Sequence, residues 1–380
     1  MKQVSVMLKP ASSLCNMRCR YCFYADVSEQ RQVQSFGIMS RETARRLIAN
    51  VLDSLQSGDT VTFAFQGGEP TLAGLDFFRD FVRAATEETA AQGKQLHFHY
   101  ALQTNGLLLD GDWCRFLREQ DFLVGLSLDG SAEFHDENRL DAAGKGTFSR
   151  VIRAKRLLEA SGVQYNILWV LSNRVARFPQ KVWKFLCEQD IRYVQFIPCL
   201  AELNATGASP AALTPERFSA FYTRLLPLWA EALRRGEYRS IKFFDDFFNL
   251  LLRRQVTACG FTGQCSNQLV VEADGSVYPC DFYVLDAWNC GDLAKKPLSE
   301  ILSSPVAATF LRRPRRAAPL CEGCRWKKCA EAVVRAWTGR CMSTRRATIA
   351  VTGIFWTAAP RCWSSWHRSC KTAASENGPP

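Results

Sequence analysis

The chain has 380 residues, 47% of them hydrophobic, with 16 cysteines and a formal net charge of +11. That length suits one large domain with a smaller one, and no apolar run approaches the ~18 residues of a membrane span. A basic chain points first to nucleic acid, but +5 of the charge sits in residues 329–380 and the one dense run, Arg312-Arg313-Pro314-Arg315-Arg316, reads as a solvated connector, so neither nucleic acid nor membrane is an expected partner.

Met1-Lys2-Gln3 leads straight into a strand, Gln3 to Lys9, with no secretory signal ahead of it, so a reducing cytoplasmic location is expected. Directly after the strand comes Cys15-Asn-Met-Arg-Cys19-Arg-Tyr21-Cys22, a C-x3-C-x2-C spacing with an aromatic residue before the third cysteine. Three thiolates so close can surround one metal centre, and iron–sulfur clusters are held in this way. A four-iron cubane takes four ligands, so this loop leaves one iron open. Disulfides would need a secreted chain. A structural zinc would want a fourth Cys or His nearby, and the next of either kind are His97 and Cys114.

Ser40 is a plausible N-cap for a helix with apolar positions from Thr43 to Leu55. Thr60–Gln66 reads as a second strand, ending in Gly67-Gly68-Glu69-Pro70. His97–Leu102 is a third, ending in Gln103-Thr104-Asn105-Gly106. Phe122–Leu128 is a fourth, ending in Asp129-Gly130. Tyr165–Leu171 and Tyr193–Ile197 are the fifth and sixth, the last ending at Pro198-Cys199-Leu200. Helical patterns lie between them over 75–90, 113–119, 148–161 and 179–189, and two more follow over 215–235 and 243–254. Strands alternating with helices mean βα units on a parallel sheet. Polar motifs at the C-terminal ends of those strands place a site at that face, as in (β/α)8 barrels.

Glycines such as Gly68 let backbone approach a ligand closely, though a GGEP sequence can also be a plain turn. Arg139 is a possible bidentate partner for a carboxylate, or a surface arginine. A second cysteine system follows: Cys259-x5-Cys265-x14-Cys280, then Cys321-x2-Cys324, with Gly275–Tyr278 forming a hairpin-like strand that delivers Cys280. C-x2-C serves zinc and iron–sulfur equally well.

Together these motifs resemble the radical S-adenosylmethionine enzymes. The resemblance implies a partial (β/α)6 barrel of the radical SAM type, in which Cys15, Cys19 and Cys22 hold a [4Fe-4S] cluster whose open iron binds S-adenosylmethionine and reduces it to a 5′-deoxyadenosyl radical. It implies further that Tyr21, Gly68, Glu69, Ser127, Arg139 and Leu200 line the cofactor: the GGE motif at its amino group, Arg139 at its carboxylate, Leu200 near its adenine. The later cysteines resemble a SPASM extension carrying up to two auxiliary [4Fe-4S] clusters, with Cys259, Cys265, Cys280, Cys321, Cys324 and a displaced Cys329 as ligands.

Within that superfamily the chain is most similar, over about Ser5 to Lys328, to the anaerobic sulfatase-maturating enzymes, through Cys15/Cys19/Cys22, Phe65–Pro70, Phe196–Leu200 and Cys280-Asp281-Phe282-Tyr283. The implied reaction oxidises a Cys or Ser of a sulfatase, in a Cys/Ser-x-Pro-x-Arg motif, to Cα-formylglycine. In it the radical takes a hydrogen atom from Cβ, a base takes the thiol or hydroxyl proton, and one electron leaves through an auxiliary cluster. Asp281, beside Cys280, is the candidate base, its alternative being a turn cap. A flavodoxin or ferredoxin would be the electron donor. The rivals are another SPASM peptide maturase, such as a thioether-forming one, and a zinc-binding module. The expected organisation is a core over 1–235, an auxiliary-cluster domain over 236–328, and an aberrant tail over 329–380. Back-translated and regrouped by two bases, Cys329–Val334 reads Cys-Gly-Gly-Gly-Cys, so one base lost after Lys328 would account for the tail and leave the auxiliary clusters short of ligands.

Overall fold

Strands and helices alternate from the first residues because each apolar strand must bury both faces, and a crossover helix covers one of them. The computed structural model describes residues 2–203, 209–253 and 265–313; the expected tail and Cys259, Cys321, Cys324 and Cys329 lie outside them. In chain order the elements are β1 (Gln3–Leu8), α1 (Phe23–Glu29), α2 (Arg41–Asp53), β2 (Thr60–Phe65), α3 (Leu75–Ala91), β3 (His97–Thr104), α4 (Gly111–Glu119), β4 (Phe122–Ser127), α5 (Ala132–Asn138), α6 (Phe148–Ala160) and β5 (Tyr165–Leu171). Then come α7 (Pro179–Glu188), β6 (Tyr193–Pro198), α8 (Pro215–Arg234), β7 (Ser240–Ile241), α9 (Lys242–Arg253), β8 (Val270–Val271), β9 (Ser276–Tyr278), β10 (Gly291–Asp292), α10 (Leu298–Leu302) and α11 (Pro305–Arg312). All six strands expected from the βα alternation are present.

The described parts of 1–169 and 265–314 form one compact unit, and the described part of 170–264 a second. In the first, the strands lie in the order β10-β9-β8-β1-β2-β3-β4-β5. β1 to β5 are parallel neighbours, β8 is parallel to β1, and β9 is antiparallel to both β8 and β10. The register sets Leu8 opposite Phe65 and Phe65 opposite Leu102. The chain therefore leaves β1, β2 and β3 along one edge, where the register sets Lys9, Gln66 and Gln103 level with one another.

The core beneath that edge is aromatic. Phe63 and Phe65 of β2 meet Phe81 and Phe78 of α3 at ring-centroid distances of 5.0 and 4.8 Å. Each such ring, fully buried, contributes about 1.5–3 kcal/mol. Ser40 caps α2 by accepting from the Thr43 amide at 2.9 Å, and α2 buries Ala44, Leu47, Ile48, Val51 and Leu52 along one stripe. The sequence pattern missed α1 and α5. Each has seven residues and no side-chain cap, too little for a periodic signal.

In the second unit β6 and β7 pair in parallel, and α8 and α9 pack through Tyr222 stacked on Phe243 at 4.1 Å and Trp229 on Phe248 at 5.6 Å.

Candidate active site

The cysteine loop leaves β1 at its C-terminal end and is held by backbone on two sides. Arg18 and Arg20 donate their amides to the carbonyls of Leu140 and Asn138, at 2.7 and 3.0 Å. On the other side the Gly68 and Glu69 amides donate to Ser12 and Leu14, at 2.9 and 2.7 Å. A Cβ built on Gly68 would lie 2.1 Å from the Leu14 carbonyl oxygen, so only glycine fits. The close approach that Gly68 permits is thus to the cysteine loop itself. Asn105, at the end of β3, steadies the same loop by donating to Asn16 Oδ1 at 2.8 Å, with its amide 3.9 Å from Cys15 Sγ.

Cys15, Cys19 and Cys22 are free thiols, all part-buried. Burial pushes Cys15 up to about 11 and Cys19 up to about 12. Each thiol lies within electrostatic reach of the other two, yet among the described residues no three His, Cys, Asp or Glu side chains converge on a point as a single metal ion requires. A cubane asks for something different, one thiolate at each of three iron corners, and a coordinated thiol is deprotonated outright whatever its unliganded affinity for protons. The donor set and its one-loop geometry fit such a cluster.

Next to this loop stands a buried ionic network. Arg139 Nε lies 3.0 Å from Asp129 Oδ2 and Nη2 donates to Oδ1 at 3.2 Å, a side-on ion pair with one hydrogen bond. The Tyr21 hydroxyl donates to Asp129 Oδ2, and the guanidinium carbon sits 5.7 Å from the Tyr21 ring centroid. Arg139 is also near enough to Cys19 to favour its thiolate.

Glu69 is buried, and burial pushes its carboxyl up against the hydrogen bonds that hold it ionised. Oε1 accepts from the Thr71 amide and hydroxyl and the Thr104 hydroxyl at 3.1, 2.6 and 2.7 Å; Oε2 accepts from the Asn105 amide at 2.7 Å. The side chain therefore ties the ends of β2 and β3 together, which presents the loop rather than reaching across it. Ser127 is buried at the C-terminal end of β4. Leu200 lies in the second unit.

The candidate base is built from four elements. Asp281 follows β9 and is buried. Lys9 Nζ, at the end of β1, lies 3.1 Å from Asp281 Oδ1, with both side chains buried. The Tyr24 hydroxyl, on α1, donates to Oδ2 at 2.6 Å. Gln66, at the end of β2, donates to Oδ2 at 3.1 Å and contacts the Tyr24 hydroxyl as well. Lys9 also lies 4.4 Å from the Tyr24 ring centroid. A turn-capping aspartate would spend its oxygens on nearby amides; here both face side chains from β1, β2 and α1. Cys280 precedes Asp281, and Cys265 enters the same end of the β8–β9 hairpin, where the Gln268 amide donates to the Pro279 carbonyl at 2.9 Å.

Lys9, Tyr24, Gln66, Asp129 and Asn105 were assigned no role from the sequence. Only their positions, at strand ends or beside Cys22, could have marked them.

Residues 10–174 match the radical SAM superfamily, and residues 259–325 match an iron-sulfur cluster-binding domain, SPASM. A cysteine-type anaerobic sulfatase-maturating enzyme of Clostridium novyi is 40% identical over 327 residues, 86% of each chain. A serine-type anaerobic sulfatase-maturating enzyme of Bacteroides thetaiotaomicron is 29% identical, over 81% of this chain and 77% of its own. The solved structure of native anSMEcpe with bound AdoMet and Cp18Cys peptide superposes with a TM-score of 0.87 at 35% identity, covering 97% of this chain and 99% of that one.

Proposed function

This chain belongs to the anaerobic sulfatase-maturating enzymes of the radical S-adenosylmethionine superfamily, and we propose on that footing that it oxidises a cysteine of a sulfatase to Cα-formylglycine. The family settles the reaction class, the α/β fold with its SPASM extension, and the use of S-adenosylmethionine and iron–sulfur clusters. The choice of cysteine rests on the higher identity to the cysteine-type relative, 40% against 29% for the serine-type one.

The observation that carries the reading is the placing of Tyr21 and Tyr24 on either side of Cys22. One reaches the Asp129–Arg139 pair and the other the Asp281–Lys9 pair, so the cluster loop and the base are tied within one unit. When bound, the cluster and S-adenosylmethionine supply the radical that takes a hydrogen atom from the substrate Cβ. The residues of the chain do the rest. Cys15, Cys19 and Cys22 hold the cluster. Gly68, Glu69 and Ser127 shape the strand ends around the cofactor. Arg139 takes the cofactor carboxylate. Asp281, paired with Lys9 and lined up by Tyr24 and Gln66, accepts the thiol proton. Cys265 and Cys280 would be the ligands, among the described residues, of an auxiliary cluster that when bound would supply the acceptor for the second electron of this two-electron oxidation. Water then converts the thioaldehyde to the aldehyde with loss of sulfide. A flavodoxin- or ferredoxin-type donor supplies the reducing electron.

The test is anaerobic reconstitution followed by mass spectrometry of two peptides differing only in Cys or Ser at the target position of the x-Pro-x-Arg motif. Faster conversion of the Cys peptide is expected. Equal or faster conversion of the Ser peptide refutes the cysteine assignment, and conversion of neither, with a full iron complement and cofactor cleavage intact, refutes the substrate.

A further inference from the structure

Arg139 is held at both ends by one closed ring of hydrogen bonds. Its Nη2 donates to Asp129 Oδ1 at 3.2 Å, and its Nε lies 3.0 Å from Oδ2 within the same ion pair. The Asp129 amide donates to His135 Nδ1 at 3.2 Å. Since Nδ1 accepts, the imidazole proton sits on Nε2, which faces Thr147 Oγ1 at 3.0 Å. The Thr147 hydroxyl donates in turn to the backbone carbonyl of Arg139 at 2.8 Å. All four residues are buried. Burial, with Arg139 nearby, lowers His135 to about 4, which agrees with the neutral tautomer that the ring requires. Every link is short-range, within residues 129–147.

A ring that closes on both the side chain and the main chain of one arginine leaves that arginine a single orientation. The ion pair lies along the Nε and Nη2 side of the guanidinium, where one hydrogen of Nη2 is donated to Asp129. Three N–H groups remain, at the end of the fork, and they point away from Asp129 by the planarity of guanidinium. Tyr21, two residues from Cys19 and one from Cys22, lies under the face of the same group. Resting on the reading of Arg139 as the partner of the cofactor carboxylate, we propose that Asp129 is its positioning residue: Arg139 holds two carboxylates at once, Asp129 side-on and the cofactor end-on, with His135 and Thr147 keeping the first in place. The sign of the effect distinguishes this from simple charge. Asp129 is an anion, so by Coulomb's law alone its removal would tighten binding of an anionic group. If Asp129 acts by orientation, its removal loosens binding.

The experiment measures the S-adenosylmethionine Kd of anaerobically reconstituted enzyme by equilibrium dialysis, with the change in the cluster's EPR signal on cofactor addition as a second readout. Wild type is compared with Asp129→Asn, Thr147→Val and Arg139→Lys. Asp129→Asn is expected to raise Kd at least tenfold while peptide affinity and iron content stay unchanged, and Thr147→Val, which opens the ring without touching the ion pair, to raise it two- to fivefold. An unchanged or lower Kd in Asp129→Asn, with Arg139→Lys weakened, overturns the positioning role and leaves the carboxylate reading standing. An unchanged Kd in Arg139→Lys overturns that reading instead. Should Asp129→Asn fail to fold, Thr147→Val decides, and a wild-type Kd there overturns the proposal.

Discussion

Two buried triads flank Cys22, and they are chemically alike: an aspartate, a cation, and a tyrosine whose hydroxyl donates to the aspartate and whose ring lies beneath the cation. On one side are Asp129, Arg139 and Tyr21. On the other are Asp281, Lys9 and Tyr24. The difference lies in the cation and in the surroundings. Arginine is planar, permanently charged and forked, and here it is fixed by a hydrogen-bonded ring. Lysine is a point charge on a flexible stem, and its partner Asp281 also meets Gln66. A rigid fork suits recognition of a ligand that must always bind in one pose. A carboxylate held by one ammonium and two neutral donors suits a group that must take up a proton and release it.

The sharpest break in this comparison comes from the loop between the triads. Replacing Cys15, Cys19 and Cys22 together by Ala is expected to abolish cofactor cleavage and to lower bound iron, since in the proposed site each thiolate would hold one iron. Any 5′-deoxyadenosine above background in the iron-reconstituted variant contradicts the assignment. Next is Asp281→Asn, which should cut formylglycine yield by a factor on the order of 10²–10⁴ while cofactor cleavage persists. Wild-type yield would reduce Asp281 to a structural residue.

Lys9→Met strands a buried carboxylate and should lower unfolding free energy by about 3–5 kcal/mol, read by urea denaturation. A much smaller loss would mean that Tyr24 and Gln66 carry the carboxylate alone. The other triad contributes its own pH dependence through His135. Its native pKa lies below the unfolded value, about 4 against 6.5, so the unfolded chain binds the extra proton. Stability from this source is complete above about pH 6.5 and falls as pH drops toward 4, by about 3 kcal/mol at most. Unfolding free energies of wild type and His135→Gln between pH 4 and 7 check it, and equal slopes would contradict it. The mildest test is a pair of hydroxyl deletions. Tyr21→Phe should affect cofactor affinity and Tyr24→Phe product formation, each by about 1.5–3 kcal/mol for a hydrogen bond to a charged group. Identical effects of the two on both readouts would mean that the triads do not divide the work.

The strands, the helices with caps and the three-cysteine loop were legible because each is a local pattern: period-two or period-3.6 burial, Ser40 before α2, thiols within eight residues. Asp281 was legible by its place beside Cys280. Gly68 was legible as a glycine that something approaches closely, but what approaches it is the chain's own Leu14 carbonyl. The short helices α1 and α5 carry the residues that matter most here, Tyr24 and His135, and gave no periodic signal.

What the amino-acid sequence determined by itself is therefore the alternating α/β architecture and the chemistry of the cluster, because hydrophobic period and cysteine spacing act over a few residues. What only the tertiary structure decided is who accompanies whom. Tyr21 meets Asp129 across 108 residues of chain, and Tyr24 meets Asp281 across 257. Buried charges must find partners or cost several kcal/mol each, but the register of parallel strands, not any local motif, chooses which strand-end side chains face one another, and so makes Lys9 and Gln66 neighbours of Asp281.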